Sequence, residues 1–153
     1  MNAALQLTLR ANAQLTRVLD ALTPLFLLAL RLYVASVFFK SGLTKVADFD
    51  TTIALFESEY RVPLLSPALA AYAGTAAEML LPVLLALGLF SRPAAVALFV
   101  FNIVAVVSYP EISDAGVKDH VAWGTMIAVV AMFGAGRIAV DHWLERFAAR
   151  QIA

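Results

Sequence analysis

Four long apolar segments follow one another in this 153-residue sequence, at about residues 22–42, 67–90, 93–109 and 119–136. At ~1.5 Å of rise per residue, helices of these lengths cross, or nearly cross, the ~30 Å hydrocarbon core of a bilayer. With 62% apolar and 14% charged residues, the chain has too little polar surface to coat a small soluble core. The pattern predicts an all-α membrane protein, with a single four-transmembrane-helix bundle within residues 22–153.

The first 21 residues have a mixed character. Arg10, Arg17 and Asp20 interrupt leucines that recur near helical spacing, which predicts a short helix lying on the membrane surface. The apolar run that follows continues past Arg31 without a small-residue cleavage site and a polar mature region. We therefore expect an uncleaved first span rather than a signal peptide.

The connection at about residues 43–66 contains an amphipathic pattern. Phe49, Ile53, Phe56 and Tyr60 recur at steps of four, three and four, which places them on one face of a helix. Acidic residues occupy much of the remaining surface. This predicts a short interfacial helix over the mouth of the bundle, either with a role in the site or only covering helix ends.

Membrane orientation is predicted from the basic residues. Four spans place six Lys and Arg residues on the side of the termini and four on the other side, with Arg31 inside the first span. Because basic loops favour the cytoplasm, both termini are expected there. The balanced net charge and the lack of a basic run give no indication of nucleic-acid binding.

Arg31, Glu78 and Asn102 lie near the centres of the first three predicted spans. A single ionised side chain at the bilayer centre costs about 2.5–3.5 kcal/mol on insertion scales. Opposite charges at one depth recover much of that cost. We therefore expect Arg31 and Glu78 to face each other inside the bundle, with Asn102 hydrogen-bonding nearby.

Two residues around Glu78 strengthen this expectation. Pro82 has no N–H, so the Glu78 carbonyl loses its helical donor and is left to bind a water, a proton or a polar ligand group. Gly74, one turn earlier, permits close approach of a helix or ligand. The alternative is that the charges only fix helix register, with Pro82 as a tolerated kink.

His120 begins the fourth predicted span. It is placed to contact a quinone oxygen or move a proton, or it is simply a solvated residue at a helix end. His142 is the only other histidine, 22 residues away and about 33 Å along a helix axis, so one chain cannot hold a haem between them. Without cysteine, nucleotide loop or metal motif, we expect no metal or covalent cofactor and find no pattern of self-contained catalysis.

Three short motifs resemble those of DoxX-family membrane proteins. They are FKSGLTK at residues 39–45, GTAAE at 74–78 followed by LGLFSRPAA at 87–95, and GAGRIAVD at 134–141. The resemblance spans about residues 24–144. It implies a four-helix bundle in the bacterial cytoplasmic membrane and an association with redox systems.

The resemblance also assigns particular residues. Arg31 and Glu78 match the family's buried charged positions, and Lys45 matches its loop lysine, three residues after Gly42 in the first motif. In the last motif, Arg137 and Asp141 are four apart and are expected to pair if that stretch is helical.

Three functions fit these features. In the first, the chain is a redox-associated subunit that binds quinone or a similar hydrophobic ligand at the expected Arg31–Glu78 pair, with His120 as a further contact. Alternatively, it is a non-enzymatic anchor or assembly partner for a redox or biosynthetic enzyme. The third possibility, a small transporter or proton pathway through Glu78, would require a homo-oligomer because four spans are few.

Overall fold

The computed structural model describes residues 2–152, and all regular structure in that range is helical. The all-α prediction is therefore confirmed. The six helices are α1 (Ala3–Ala47), α2 (Phe49–Ser58), α3 (Pro67–Leu87), α4 (Ser91–Val107), α5 (Asp114–Phe133) and α6 (Val140–Ile152).

Within the described residues, two helices are long and apolar enough to cross a membrane, Ala4–Ala47 and Pro67–Leu87. The third predicted span corresponds to α4, which is apolar but only 17 residues long. Since α5 does not meet the same criteria, the four-span arrangement stays a prediction.

The N-terminal segment is helical but continues into the first predicted span without a break. Pro24 lies inside α1, just after the expected boundary at residue 21, and the helix continues to Ala47. Its 45 residues correspond to about 67 Å, longer than one bilayer crossing. Location of residues 1–21 on a membrane surface stays a prediction.

Local chemistry sets the ends of α2 and α3. The Asp48 carboxylate accepts a hydrogen bond from the Thr51 N–H at 3.0 Å and caps α2. Ser66 caps α3, with Pro67 in its first turn, where a missing N–H costs nothing. Gly88 then ends α3 in the left-handed conformation, at φ +68°.

The bundle core lies between α1, α3, α4 and α5. α1 and α3 run antiparallel, and Gly42 brings them together: a Cβ there would lie 2.9 Å from Met79 Sδ and 3.1 Å from Glu78 Cβ. The core side chains are Val34, Phe38, Leu85, Ala95, Leu98, Ile127 and Val130.

The predicted amphipathic helix corresponds to α2. Phe56 is buried against Ala70 and Ala71 of α3, and Phe49, Ile53 and Tyr60 pack around this contact. The apolar stripe therefore packs on α3 at one end of the bundle.

Candidate functional site

A three-residue polar cluster joins α1 to α3, and we call it the cavity cluster: Ser41, Lys45 and Glu78. The Lys45 ammonium lies 2.6 Å from Glu78 Oε2 and donates to Ser41 Oγ at 2.9 Å. Ser41 in turn donates to Glu78 Oε1 at 3.2 Å. Glu78 is only 6% exposed, so its charge is matched by a cation and a hydroxyl within the protein.

The prediction that Arg31 and Glu78 face each other is wrong. Arg31 is fully buried, but its guanidinium donates to the carbonyls of Leu85 at 3.3 Å and Ala86 at 2.9 Å, and to that of Ile138. The residues that bind Glu78 lie 10 and 14 positions further along α1, about 15–21 Å away. The sequence expectation assigned both charges to one depth, whereas backbone carbonyls at the end of α3 already satisfy Arg31.

Asp141 organises the turn between α3 and α4. Its carboxylate accepts hydrogen bonds from the N–H groups of Phe90 and Ser91, both at 2.8 Å, and from the Ser91 hydroxyl. Its own N–H donates to the Gly88 carbonyl at 2.9 Å. Arg31, Gly88, Ser91 and Asp141 form what we call the turn cluster, with the cation at the C-terminus of α3 and the anion at the N-terminus of α4, as helix dipoles favour.

The pKa of the Asp141 carboxyl group follows from these contacts. Partial burial alone would raise the pKa of the carboxyl group, but hydrogen bonds from Ser91 and Phe90 and the nearby Arg31 charge together hold that pKa below its ordinary value. The prediction that Arg137 pairs with Asp141 is wrong, since the only salt bridge within residues 2–152 is Lys45–Glu78. The reason is that α6 begins only at Val140, so the two residues are not one helical turn apart.

A cavity of about 490 Å³ opens beside the cavity cluster, at the end of the bundle covered by α2. Its aromatic and polar lining includes Phe38, Ser41, Lys45, Phe56, Tyr60, Glu78, Phe101, Ser108, His120 and Trp123. The Ser108 hydroxyl is buried and has no partner within the described part of the chain. The cavity thus combines mostly apolar walls with a few polar groups, which is typical of small-molecule sites.

Tyr60 covers the cavity from the end of α2. Its ring stacks on Phe56 at a centroid distance of 4.7 Å and lies 5.1 Å from Tyr109. Burial, with the nearby tyrosine and glutamates, raises the pKa of the Tyr60 hydroxyl above its ordinary value. The hydroxyl therefore stays protonated at neutral pH and is able to donate a hydrogen bond.

The prediction that Asn102 hydrogen-bonds beside Arg31 and Glu78 is also wrong. Its Oδ1 lies 2.8 Å from His120 Nδ1, and its Nδ2 donates to the His120 carbonyl at 3.0 Å. Both contacts link α4 to α5. Gly124 makes room for them, since a Cβ there would lie 3.1 Å from Asn102 Nδ2.

Gly74 and Pro82, the two residues predicted to support Glu78, lie at different places along α3. Gly74 lines the cavity, where an added Cβ would make only ordinary contact, 3.5 Å from the Phe56 ring. Pro82 is buried inside α3, which continues unbroken through it. The loss of a donor for the Glu78 carbonyl stays a prediction.

Sequence reasoning missed several residues of both clusters. Ser41 was not predicted, although it lies one helical turn before the predicted Lys45, a spacing that signals a shared face. Gly88 precedes the hairpin turn, a typical position for a left-handed residue. Ser108 gives no comparable signal, because only tertiary packing brings it to the cavity.

Together these features define a helical bundle. Its two longest helices are long and apolar enough to cross a membrane, and its interior holds a cavity lined by charged and aromatic side chains. The DoxX family model matches residues 26–110, which is 85 of 153 residues, so the chain belongs to the DoxX family. The motif at 134–141 lies outside this match. No curated protein and no solved structure gives a significant match.

The protein has no cysteine. In the part of the chain that the structure describes, no group of three or more His, Asp or Glu side chains is placed to hold a metal ion. The cavity lining itself offers hydrogen-bonding side chains, one ion pair and aromatic rings.

Proposed function

We propose that this DoxX-family protein crosses the bacterial cytoplasmic membrane four times, with both termini in the cytoplasm, and binds quinone or a similar hydrophobic ligand in the cavity. In this role it is a redox-associated subunit, as the family resemblance implies. The observation that carries the proposal is the cavity of about 490 Å³ with the Lys45–Glu78 pair and His120 in its lining.

Lys45 is the polar contact best suited to a ligand carbonyl oxygen. An ammonium group has three donors, and two of them serve Ser41 and Glu78. The third is left for a ligand acceptor. The aromatic rings of Phe38, Phe101 and Trp123, packed edge-to-face at 5.8 and 6.2 Å, offer apolar contacts to a ring and its tail.

The proposal is tested on the purified full chain. Lipid-soluble molecules extracted from it are identified by mass spectrometry, and the melting temperature is measured with and without tetramethylbenzoquinone. We expect a co-purifying quinone or related molecule and a raised melting temperature, because a ligand that binds only the folded state stabilises it.

A matched pair of variants locates the binding. Gly74→Leu fills the cavity and is expected to abolish the shift, whereas Ala76→Leu, on the exposed side of the same helix, is expected to keep it. No co-purifying molecule together with an unchanged melting temperature would overturn the proposal.

A second candidate, a membrane anchor or assembly partner for an enzyme, is favoured by α6. Trp143, Leu144 and Phe147 form an exposed apolar face there, with Trp143 70% exposed. Exposed apolar patches of this kind serve protein or membrane contacts. Recovery of a partner enzyme from native membranes with wild type, and its loss with Trp143→Ser and Phe147→Ser together, would support this candidate; a chain always found alone would contradict it.

A further inference from the structure

We propose that the cavity selects a ligand bearing a hydroxyl group, such as a hydroquinone or phenol, over the corresponding quinone, through His120 held as a hydrogen-bond acceptor by Asn102. This inference rests on the proposed function and specifies its ligand class. The observation behind it is the pair of hydrogen bonds between Asn102 and His120.

The orientation of the Asn102 amide follows from chemistry. The His120 backbone carbonyl accepts hydrogen bonds and cannot donate them, so the amide atom 3.0 Å from it is the NH₂ group. The amide oxygen then faces His120 Nδ1 at 2.8 Å. Since that oxygen only accepts, Nδ1 carries the hydrogen.

A proton fixed on Nδ1 determines the hydrogen-bonding role of the other ring nitrogen, Nε2. In the neutral imidazole one nitrogen donates and the other accepts, so Nε2 presents a lone pair. Nε2 has no hydrogen-bond partner within residues 2–152, and His120 lines the cavity. The edge-to-face contact of Trp123, at a centroid distance of 4.8 Å, limits rotation of the ring.

The cavity therefore offers two opposite polar contacts. Lys45 donates to a ligand oxygen, and His120 Nε2 accepts from a ligand O–H. A hydroquinone satisfies both, since each hydroxyl both donates and accepts. A quinone has only acceptor oxygens, so beside His120 its carbonyl would meet a lone pair.

Asn102 and Gly124 are positioning residues in this scheme, because they act through His120. Replacing Gly124 with alanine would push a methyl group against Asn102 Nδ2, at 3.1 Å before any shift. The tautomer of His120 would then no longer be fixed by the amide.

The test uses the full chain in detergent at about pH 8, above the ordinary histidine pKa of about 6.5. Affinities for tetramethylhydroquinone, kept under anaerobic conditions, and for tetramethylbenzoquinone are measured by calorimetry. One additional hydrogen bond predicts about tenfold tighter binding of the hydroquinone. In His120→Phe we expect the two affinities to become about equal. Thr125→Val, at an exposed position of α5, is expected to keep the wild-type preference for the hydroquinone.

A second readout follows the proton itself. ¹⁵N NMR of the histidine ring is expected to show the Nδ1–H form in the wild type and a mixture of both forms in Asn102→Leu and Gly124→Ala. An Nε2–H ring in the wild type, or a quinone that binds as tightly as the hydroquinone, would overturn this inference and leave the proposed function standing. Binding of neither probe would overturn both.

Discussion

The two ends of this bundle each hold a basic residue of α1, the fully buried Arg31 at one end and the partly exposed Lys45 at the other, and the two side chains have different partners. Arg31 in the turn cluster is enclosed by backbone carbonyls of three residues, with the Asp141 carboxylate nearby. Lys45 in the cavity cluster meets one carboxylate and one hydroxyl, and lies beside an open cavity. A buried charge whose partners are backbone groups holds the fold together. A partly exposed charge with side-chain partners and space beside it is suited to bind a ligand.

The largest effect is expected from Arg31→Met. The change removes the Arg31 donor from the carbonyls of Ala86 and Ile138, at about 1–3 kcal/mol for each group left unsatisfied, whereas the Leu85 carbonyl keeps the Gly88 N–H at 3.1 Å. We expect the free energy of unfolding to fall by about 3 kcal/mol or more. Lys40→Met, at an exposed position of the same helix, serves as the control, and a near wild-type unfolding curve for Arg31→Met would contradict the structural role of the turn cluster.

Gly88→Ala tests the same end through the backbone. The residue has φ +68°, and an added Cβ would lie 2.5 Å from Arg31 Nη1 and 2.6 Å from Ala139 Cβ. Left-handed strain and overpacking predict a loss of about 2–3 kcal/mol in the free energy of unfolding. Gly74→Ala at the cavity is the matched change and is expected to have little effect on stability; equal losses for the two variants would erase the contrast between the ends.

Glu78→Gln tests the cavity cluster. Loss of the carboxylate leaves Lys45 without its ion-pair partner, but this lysine is partly exposed and near the cavity. We expect a loss of about 1–2 kcal/mol in the free energy of unfolding, less than for Arg31→Met. Adding Lys45→Met is expected to restore most of that stability, because removing both partners leaves no unpaired charge; a double variant less stable than Glu78→Gln would be inconsistent with this pairing.

The smallest effect is expected from the pH response of Asp141. Because its pKa is lower in the folded protein, its stabilisation is complete above the ordinary value of about 3.9 and is lost as the pH falls through the lower, folded value. Melting temperatures measured from pH 6 down to pH 3 should therefore fall more steeply for wild type than for Asp141→Asn. Parallel curves would show that the carboxylate does not stabilise the turn between α3 and α4.

Sequence reasoning gave the helical class, and hydrophobic periodicity gave the packing face of α2 through Phe56 and its neighbours. It also identified three residues that line the cavity: Glu78 as an ionisable residue in an apolar segment, His120 at the start of a predicted span, and Lys45 through the family resemblance. It failed on partners. Counting residues from span centres assigned Arg31 and Glu78 to one depth, and the i,i+4 spacing of Arg137 and Asp141 assumed a helix that begins only at Val140.

The reason for these errors is physical. A buried guanidinium is satisfied as well by backbone carbonyls at a helix end as by a carboxylate, and sequence does not reveal which helix end lies beside it. The same limit applies to Asn102, which bonds to a neighbouring helix through a gap left by Gly124. Cavities depend on such tertiary gaps and are not encoded in any single segment.

The most direct test of the account is to map where a ligand binds. A photoreactive azidobenzoquinone is irradiated with the purified full chain, and the labelled peptides are identified by mass spectrometry. We expect labels in the cavity lining on α2, α3 and α5, removed by excess tetramethylhydroquinone. Labels confined to the peptides around Arg31 and Asp141, or labelling that the competitor does not reduce, would contradict the assignment of ligand binding to the Lys45–Glu78 end.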